Sequence, residues 1–175
     1  SPQGPPGTVT LAIDGGVVAA LVQQMTSPQF SIAELFVTVD GVNWSGYEAP
    51  VAGSLAVIAP STVFIAGGVE TNELWRSETL GKDWQRVSLG DLGIGAMTLG
   101  APRMFSRTDG VLPVTLNTEP RSQVAFLVTT DGGKSWREAG RVTVEANAGP
   151  GARIPAAGGS PQRWFASEPG GASVY

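Results

Sequence analysis

The sequence predicts an all-β chain assembled from repeated four-stranded antiparallel units. Three observations carry that expectation. Gly (24) and Pro (13) together make about a fifth of the 175 residues, while Asp, Glu, Lys and Arg make only 15%. That balance disfavours long surface helices and favours short strands joined by turns. Short apolar or alternating runs recur between turn residues, and a turn closed by tryptophan occurs three times, at Trp44, Trp84 and Trp136.

Composition also excludes whole classes of chemistry. With 42% apolar residues and a net charge of only −4, the chain can bury a core and is not a disordered polyelectrolyte. It contains no His and no Cys. A Ser-His-Asp triad, a His-ligated zinc, a disulfide and a cysteine nucleophile are therefore impossible within it. A weakly acidic balance gives no electrostatic reason to bind nucleic acid or an anionic membrane. The longest apolar runs, Val17 to Val22 and Leu55 to Ala59, are strand-sized and far short of the ~20 residues of a membrane-spanning helix. Ser1 to Gly7 is rich in Pro and Gly and reads as a linker.

The three turns align as Thr38-Val39-Asp40-Gly41-Val42-Asn43-Trp44, Ser77-Glu78-Thr79-Leu80-Gly81-Lys82-Asp83-Trp84 and Thr129-Thr130-Asp131-Gly132-Gly133-Lys134-Ser135-Trp136. A short Asp side chain can accept hydrogen bonds from turn N–H groups, Gly supplies positive φ, and Trp can cover the hairpin. The third copy fits S/T-x-D-x-G-x-x-W in full. In the second, Thr79 stands at the Asp position, and the first is one residue short before Trp44. This motif resembles the Asp-box, or bacterial neuraminidase repeat, of sialidase-like β-propellers. The resemblance implies a β-propeller segment of about three and a half four-stranded blades with Asp-box turns.

The spacing between the tryptophans, 40 and then 52 residues, suits one blade per turn. Blade one spans about 8–48, with strands near Thr8–Ile13, Val17–Gln24, Ile32–Val39 and Asn43–Tyr47. Blade two spans about 51–88, using Leu55–Ile58, Thr62–Ala66, Glu73–Ser77 and Trp84–Val87. Blade three spans about 94–140, using Ala96–Gly100 continued to Phe105, Val111–Leu116, Val124–Thr129 and Trp136–Ala139. An incomplete fourth covers 142–175, with strands at Val142–Glu145, Arg163–Ala166 and Ala172–Tyr175. An open array exposes the apolar faces of its terminal blades, which soluble chains seldom do. The expected partners are therefore the remainder of a longer propeller chain or a second copy.

Asp40, Trp44, Ser77, Gly81, Trp84, Thr129, Asp131, Gly133 and Trp136 are expected to fold the blades. Asp40 and Asp131 lack the several spaced oxygen ligands that calcium needs, so no metal and no cofactor are expected. Arg153-Ile154-Pro155 resembles the Arg-Ile-Pro signature of sialidases, and an arginine fork suits a substrate carboxylate. Arg153 is the candidate ligand-binding residue, although Ala152 replaces the usual aromatic. The tyrosine nucleophile that the resemblance implies has only Tyr47 and Tyr175 as candidates, both outside the expected central cavity. A glycosidase using two carboxylates would draw on Asp14, Asp91, Asp109, Glu119 or Glu145. Trp75 and Trp164 read as packing residues on strands.

Two functional readings follow from the resemblance. The first is a non-catalytic scaffold or recognition module that binds a protein or glycan; an assembly factor resembling the photosystem II stability family, which shares repeats of this kind without catalysis, is a further alternative. The second is a sialidase-like glycoside hydrolase whose catalytic residues lie partly outside this chain. The resemblance further implies an extracellular, cell-surface or periplasmic bacterial protein.

Overall fold

The computed structural model describes residues 7–27, 30–67, 72–90, 92, 96–118, 121–144, 156–160, 163–168 and 171–174. These residues form strands and turns and no helix. The chain divides into two compact units, Ser1–Arg86 and Val87–Tyr175.

The first unit holds two antiparallel sheets, the second of which ends at the unit boundary. One is built from β1 (Gly7–Asp14), β2 (Val17–Ser27), β3 (Phe30–Thr38) and β4 (Ser45–Glu48), in that order. The other follows as β5 (Gly53–Ile58), β6 (Thr62–Gly67), β7 (Glu73–Ser77) and β8 (Gln85–Val87). Successive side chains on a strand point to opposite faces. One face of the first sheet thus gathers Ala19, Leu21, Ala33, Leu35 and Val37, which share a buried core with Leu55, Val63 and Ile65 of the second. Two polar contacts fix how these sheets stack. Gln23 Nε2 donates to the Gly53 carbonyl at 3.0 Å, and Ala59 N donates to Asp14 Oδ2 at 2.8 Å. On its opposite face the second sheet buries Phe64, Ala66 and Leu74. Arg76, paired across the ladder from Phe64, lies over its ring at 5.9 Å and forms an ion pair with Glu78.

In the second unit, β11 (Gly110–Thr118), β12 (Arg121–Thr129) and β13 (Arg137–Val144) form the body of a third sheet. The first strand of this sheet, expected as one run from Ala96 to Phe105, is instead two pieces, β9 (Ala96–Leu99) and β10 (Arg103–Met104), both paired with β11. Pro113 explains the break. Its carbonyl accepts from Gly100 N at 2.9 Å, so it faces the first strand, but it has no N–H to return. The ladder lapses at Ala101–Pro102 and resumes at Arg103.

A second expectation is corrected at the far edge of this sheet. Val142 was expected to open the fourth repeat, but residues 142–144 continue β13, pairing Val142 with Val124 and Val144 with Ser122. A bulge opposes Phe126 to Gly140 and Leu127 to Glu138, leaving Ala139 over, and that kink mimics a strand end. Glu145 lies outside the described residues. The last sheet begins instead at β14 (Ala156–Ser160), followed by β15 (Arg163–Glu168) and β16 (Gly171–Val174). Its opening strand, Ala-Ala-Gly-Gly-Ser, has little strand propensity.

Leu35 is fully buried at the centre of the core shared by the first two sheets. Leu35→Ala is expected to cost about 2–5 kcal/mol, read as a lower urea midpoint with unchanged slope.

Candidate functional site

The three tryptophan turns solve one local problem: several backbone N–H groups converge where the chain leaves one strand and returns on the next. In the third turn Thr129 Oγ1 accepts from Gly133 N at 2.9 Å, and Asp131 Oδ1 accepts from Lys134 N and Ser135 N, each at 3.0 Å. The Ser135 hydroxyl donates to the other carboxylate oxygen, and Thr129 Oγ1 donates to Asp131 Oδ1 at 2.8 Å. Gly133, at φ 77°, lies in the left-handed region that suits glycine. Trp136 closes the turn, 7% exposed, its indole N–H donating to the Gly133 carbonyl at 3.2 Å.

The first turn repeats the pattern one residue shorter. Asp40 Oδ1 accepts from Val42 N and Asn43 N at 2.8 Å, and Asn43 Nδ2 donates to Oδ2 at 2.7 Å. Those bonds hold Asn43 in the turn, so β4 starts at Ser45 rather than at Asn43. The missing residue also alters the indole: Trp44 is 48% exposed, whereas Trp136 is buried.

The second turn shows that Thr79 has a compensating partner. Ser77 Oγ accepts from Gly81 N at 2.8 Å, and Thr79 Oγ1 accepts from Asp83 N at 3.0 Å while donating to Asp83 Oδ2 at 3.4 Å. Asp83 occupies the position held by Asn43 and Ser135, the side-chain donors of the other turns. Donor and acceptor have thus exchanged places, and the carboxylate has moved four residues along. Gly81 packs the turn onto the first sheet so closely that a Cβ there would meet Leu35 Cδ2 at 2.5 Å. Trp84 joins the same core, and its Nε1 is buried with no hydrogen-bond partner among the described residues.

These contacts set the charge states. Donation from the Asn43 side chain, then from the N–H groups of Val42 and Asn43, holds the Asp40 carboxyl well below the usual carboxylate range. The Ser135 hydroxyl and N–H do the same for Asp131. Asp109, a candidate carboxylate of the glycosidase reading, is lowered by the hydroxyls of Thr108 and Ser106, which donate to it in a turn. Asp14 is engaged with Ala59 N, Tyr47 lies against the Gly81 turn, and Trp75 Nε1 donates to Glu73 Oε2 at 2.8 Å. Trp164 is on β15. Arg153, Asp91, Glu119, Glu145 and Tyr175 lie outside the described residues. Among the described residues, no group of three or more acidic side chains is placed to hold a metal ion.

A different surface stands out in the first sheet. Val9 (61%), Leu11 (64%), Ile13 (71%) and Ile32 (57%) are exposed on the face that points away from the second sheet. Val9 and Ile13 pair across the ladder with Val22 and Val18, which makes the face continuous over β1 and β2. No Lys or Arg precedes Arg76, so the first sheet carries Asp14, Glu34, Asp40 and Glu48 and no cation.

No family model matches the chain, and no curated protein matches it in sequence. Among solved structures, an ulvan lyase of a polysaccharide lyase family matches at TM-score 0.54 and 11% identity over 79% of this chain. The chain spans 43% of that lyase's length. YCF48 bound to D1 peptide matches over 90% of this chain and 73% of its own, at 11% identity and TM-score 0.34, too low to carry structural argument. The protein is an all-β chain with the fold of a β-propeller segment, built from consecutive antiparallel sheets. Among the described residues no helix is long and apolar enough to cross a membrane.

Two outcomes are expected. Because the folded-state pKa values of Asp40 and Asp131 lie below their unfolded values, the unfolded chain binds more protons between the two. Their stabilisation is complete at neutral pH and is lost as pH falls below about 4, so the urea midpoint should drop there, less steeply in Asp131→Asn. In the second turn, Thr79→Asp alone sets two carboxylates together and lowers stability, whereas adding Asp83→Ser restores it. A double-mutant cycle in urea should show a coupling of about 0.5–3 kcal/mol.

Proposed function

We propose that this chain is a non-catalytic β-propeller scaffold and recognition module, with turns of the Asp-box type. It binds a protein or glycan through the turns at one end of its sheets and forms part of a larger or oligomeric propeller. The observation that carries this reading is the use of the motif's carboxylates. Asp40 and Asp131 each have both oxygens engaged by turn donors, which suits holding a hairpin and not shuttling a proton. The exposed apolar face of the first sheet supports membership of a larger assembly. An extracellular, cell-surface or periplasmic setting in a bacterium belongs to the same proposal.

The second reading, a sialidase-like glycoside hydrolase completed by residues outside this chain, rests on Arg153-Ile154-Pro155. Its substrate would present a carboxylate to the Arg153 guanidinium. The polysaccharide named for the ulvan lyase offers a further glycan to test.

Incubation with a fluorogenic sialoside and with ulvan distinguishes the two readings. Neither fluorophore release nor polysaccharide shortening is expected, and native gels carrying dissolved polysaccharide report glycan binding as slowed migration. Turnover that Arg153→Ala abolishes would replace the scaffold with the hydrolase.

A further inference from the structure

The exposed face of the first sheet has a buried counterpart in the second, and the comparison identifies what fits it. Thr38 and Ser77 open equivalent turns, and each pairs across the ladder with a valine, Val18 and Val63. Those valines pair in turn with Ile13 and Val57, which aligns Leu11 with Leu55 and Ala20 with Ile65. Leu55, Val63 and Ile65 are buried because the first sheet seats Ala19, Leu21 and Leu35 upon them. The equivalent face formed by Val9, Leu11 and Ile13 is exposed among the described residues.

The turns repeat the contrast independently. Leu80 and Trp84 of the second turn pack on the core of the preceding sheet. Trp44, the counterpart of Trp84, is half exposed. Strand face and turn together form one seat, shaped for another sheet of this repeat stacked at the spacing of packed sheets, roughly 10 Å.

We propose that a second copy of this chain fills the seat head to tail, laying its last sheet over the first sheet of its neighbour. This deepens the scaffold reading and rests on it. Register supports the choice of occupant. In the last sheet Phe165 pairs with Val174 and Ser167 with Ala172, at the positions where Ala19 pairs with Val37 and Leu21 with Leu35. Charge supports the direction. Two first sheets face to face would oppose Glu34 and Glu48, which pair across the ladder on that face, to their own copies, whereas β14–β16 carry one Arg163 and one Glu168. A head-to-tail contact of this kind closes into a ring when its rotation allows.

Sedimentation velocity of the 175-residue chain up to about 100 µM tests this. The expected result is a species of twice the 18.0 kDa chain mass or more. Leu11→Asp and Ile13→Lys, both at exposed positions, should each weaken association by about tenfold or more with an unchanged far-UV spectrum. The absence of native cysteine makes the geometry directly readable: Leu11→Cys mixed with Ser167→Cys should form an intermolecular disulfide, and Leu11→Cys alone should not. A chain that stays at 18.0 kDa, association untouched by Leu11→Asp, or self-linking of Leu11→Cys would overturn the proposal. A monomer leaves the scaffold reading standing, since that reading fails on turnover instead.

Discussion

The tight turns between paired strands depend on one requirement, that the N–H groups left over where the ladder stops must find an acceptor. A buried or crowded amide without one costs about as much as several good contacts contribute. In this chain a hydroxyl at the end of the third strand and, two residues later, a carboxylate in two turns or the Thr79 hydroxyl in the other meet that requirement, with a tryptophan at the end of each turn. Once the turn is pinned, the register of the two strands it joins is pinned too. Register in turn decides which residues reach the core, because a slip of one position would exchange the two faces of the sheet.

Stacking then follows from alternation. The first two sheets each offer a face of small and branched side chains on one side and a second apolar face on the other, and the first covers one face of the second. Asp14 and Gln23 anchor the stack through backbone groups of the next sheet, which fixes rotation in a way that aliphatic contacts alone cannot. The apolar excess of the first sheet is a property of the repeat itself. A unit designed to be sandwiched shows its second face wherever the series is open.

Much of this was legible in the sequence. Short apolar or alternating runs and turn residues placed the strands of the first two sheets within a few positions, since there local pattern and tertiary packing agree. The third sheet was harder. Pro113 lies in a central strand, where a missing donor splits its neighbour, and the bulge at Ala139 makes one strand look like two. The glycines of β14 left no pattern to read. At the turns, Asp40 and Asp131 were recognised from residue type alone, but Thr79 looked like a defect because its partner stands four residues away. Asp83 was the available signal, visible only when positions 79 and 83 are considered as a pair. Trp44, one residue closer to its Asp than Trp136 is, is half exposed, and the spacing in the sequence shows that shorter turn.

The exchange between Thr79 and Asp83 also constrains how such repeats diverge. A lineage passing from one arrangement to the other by single substitutions must cross an intermediate holding either two carboxylates or none. The doubly charged turn suffers repulsion in addition to lost hydrogen bonds, while the neutral one forfeits only acceptor strength. Descent through the uncharged intermediate is the shallower route, so copies with hydroxyls at both positions should be the commoner relics among diverged repeats of this kind.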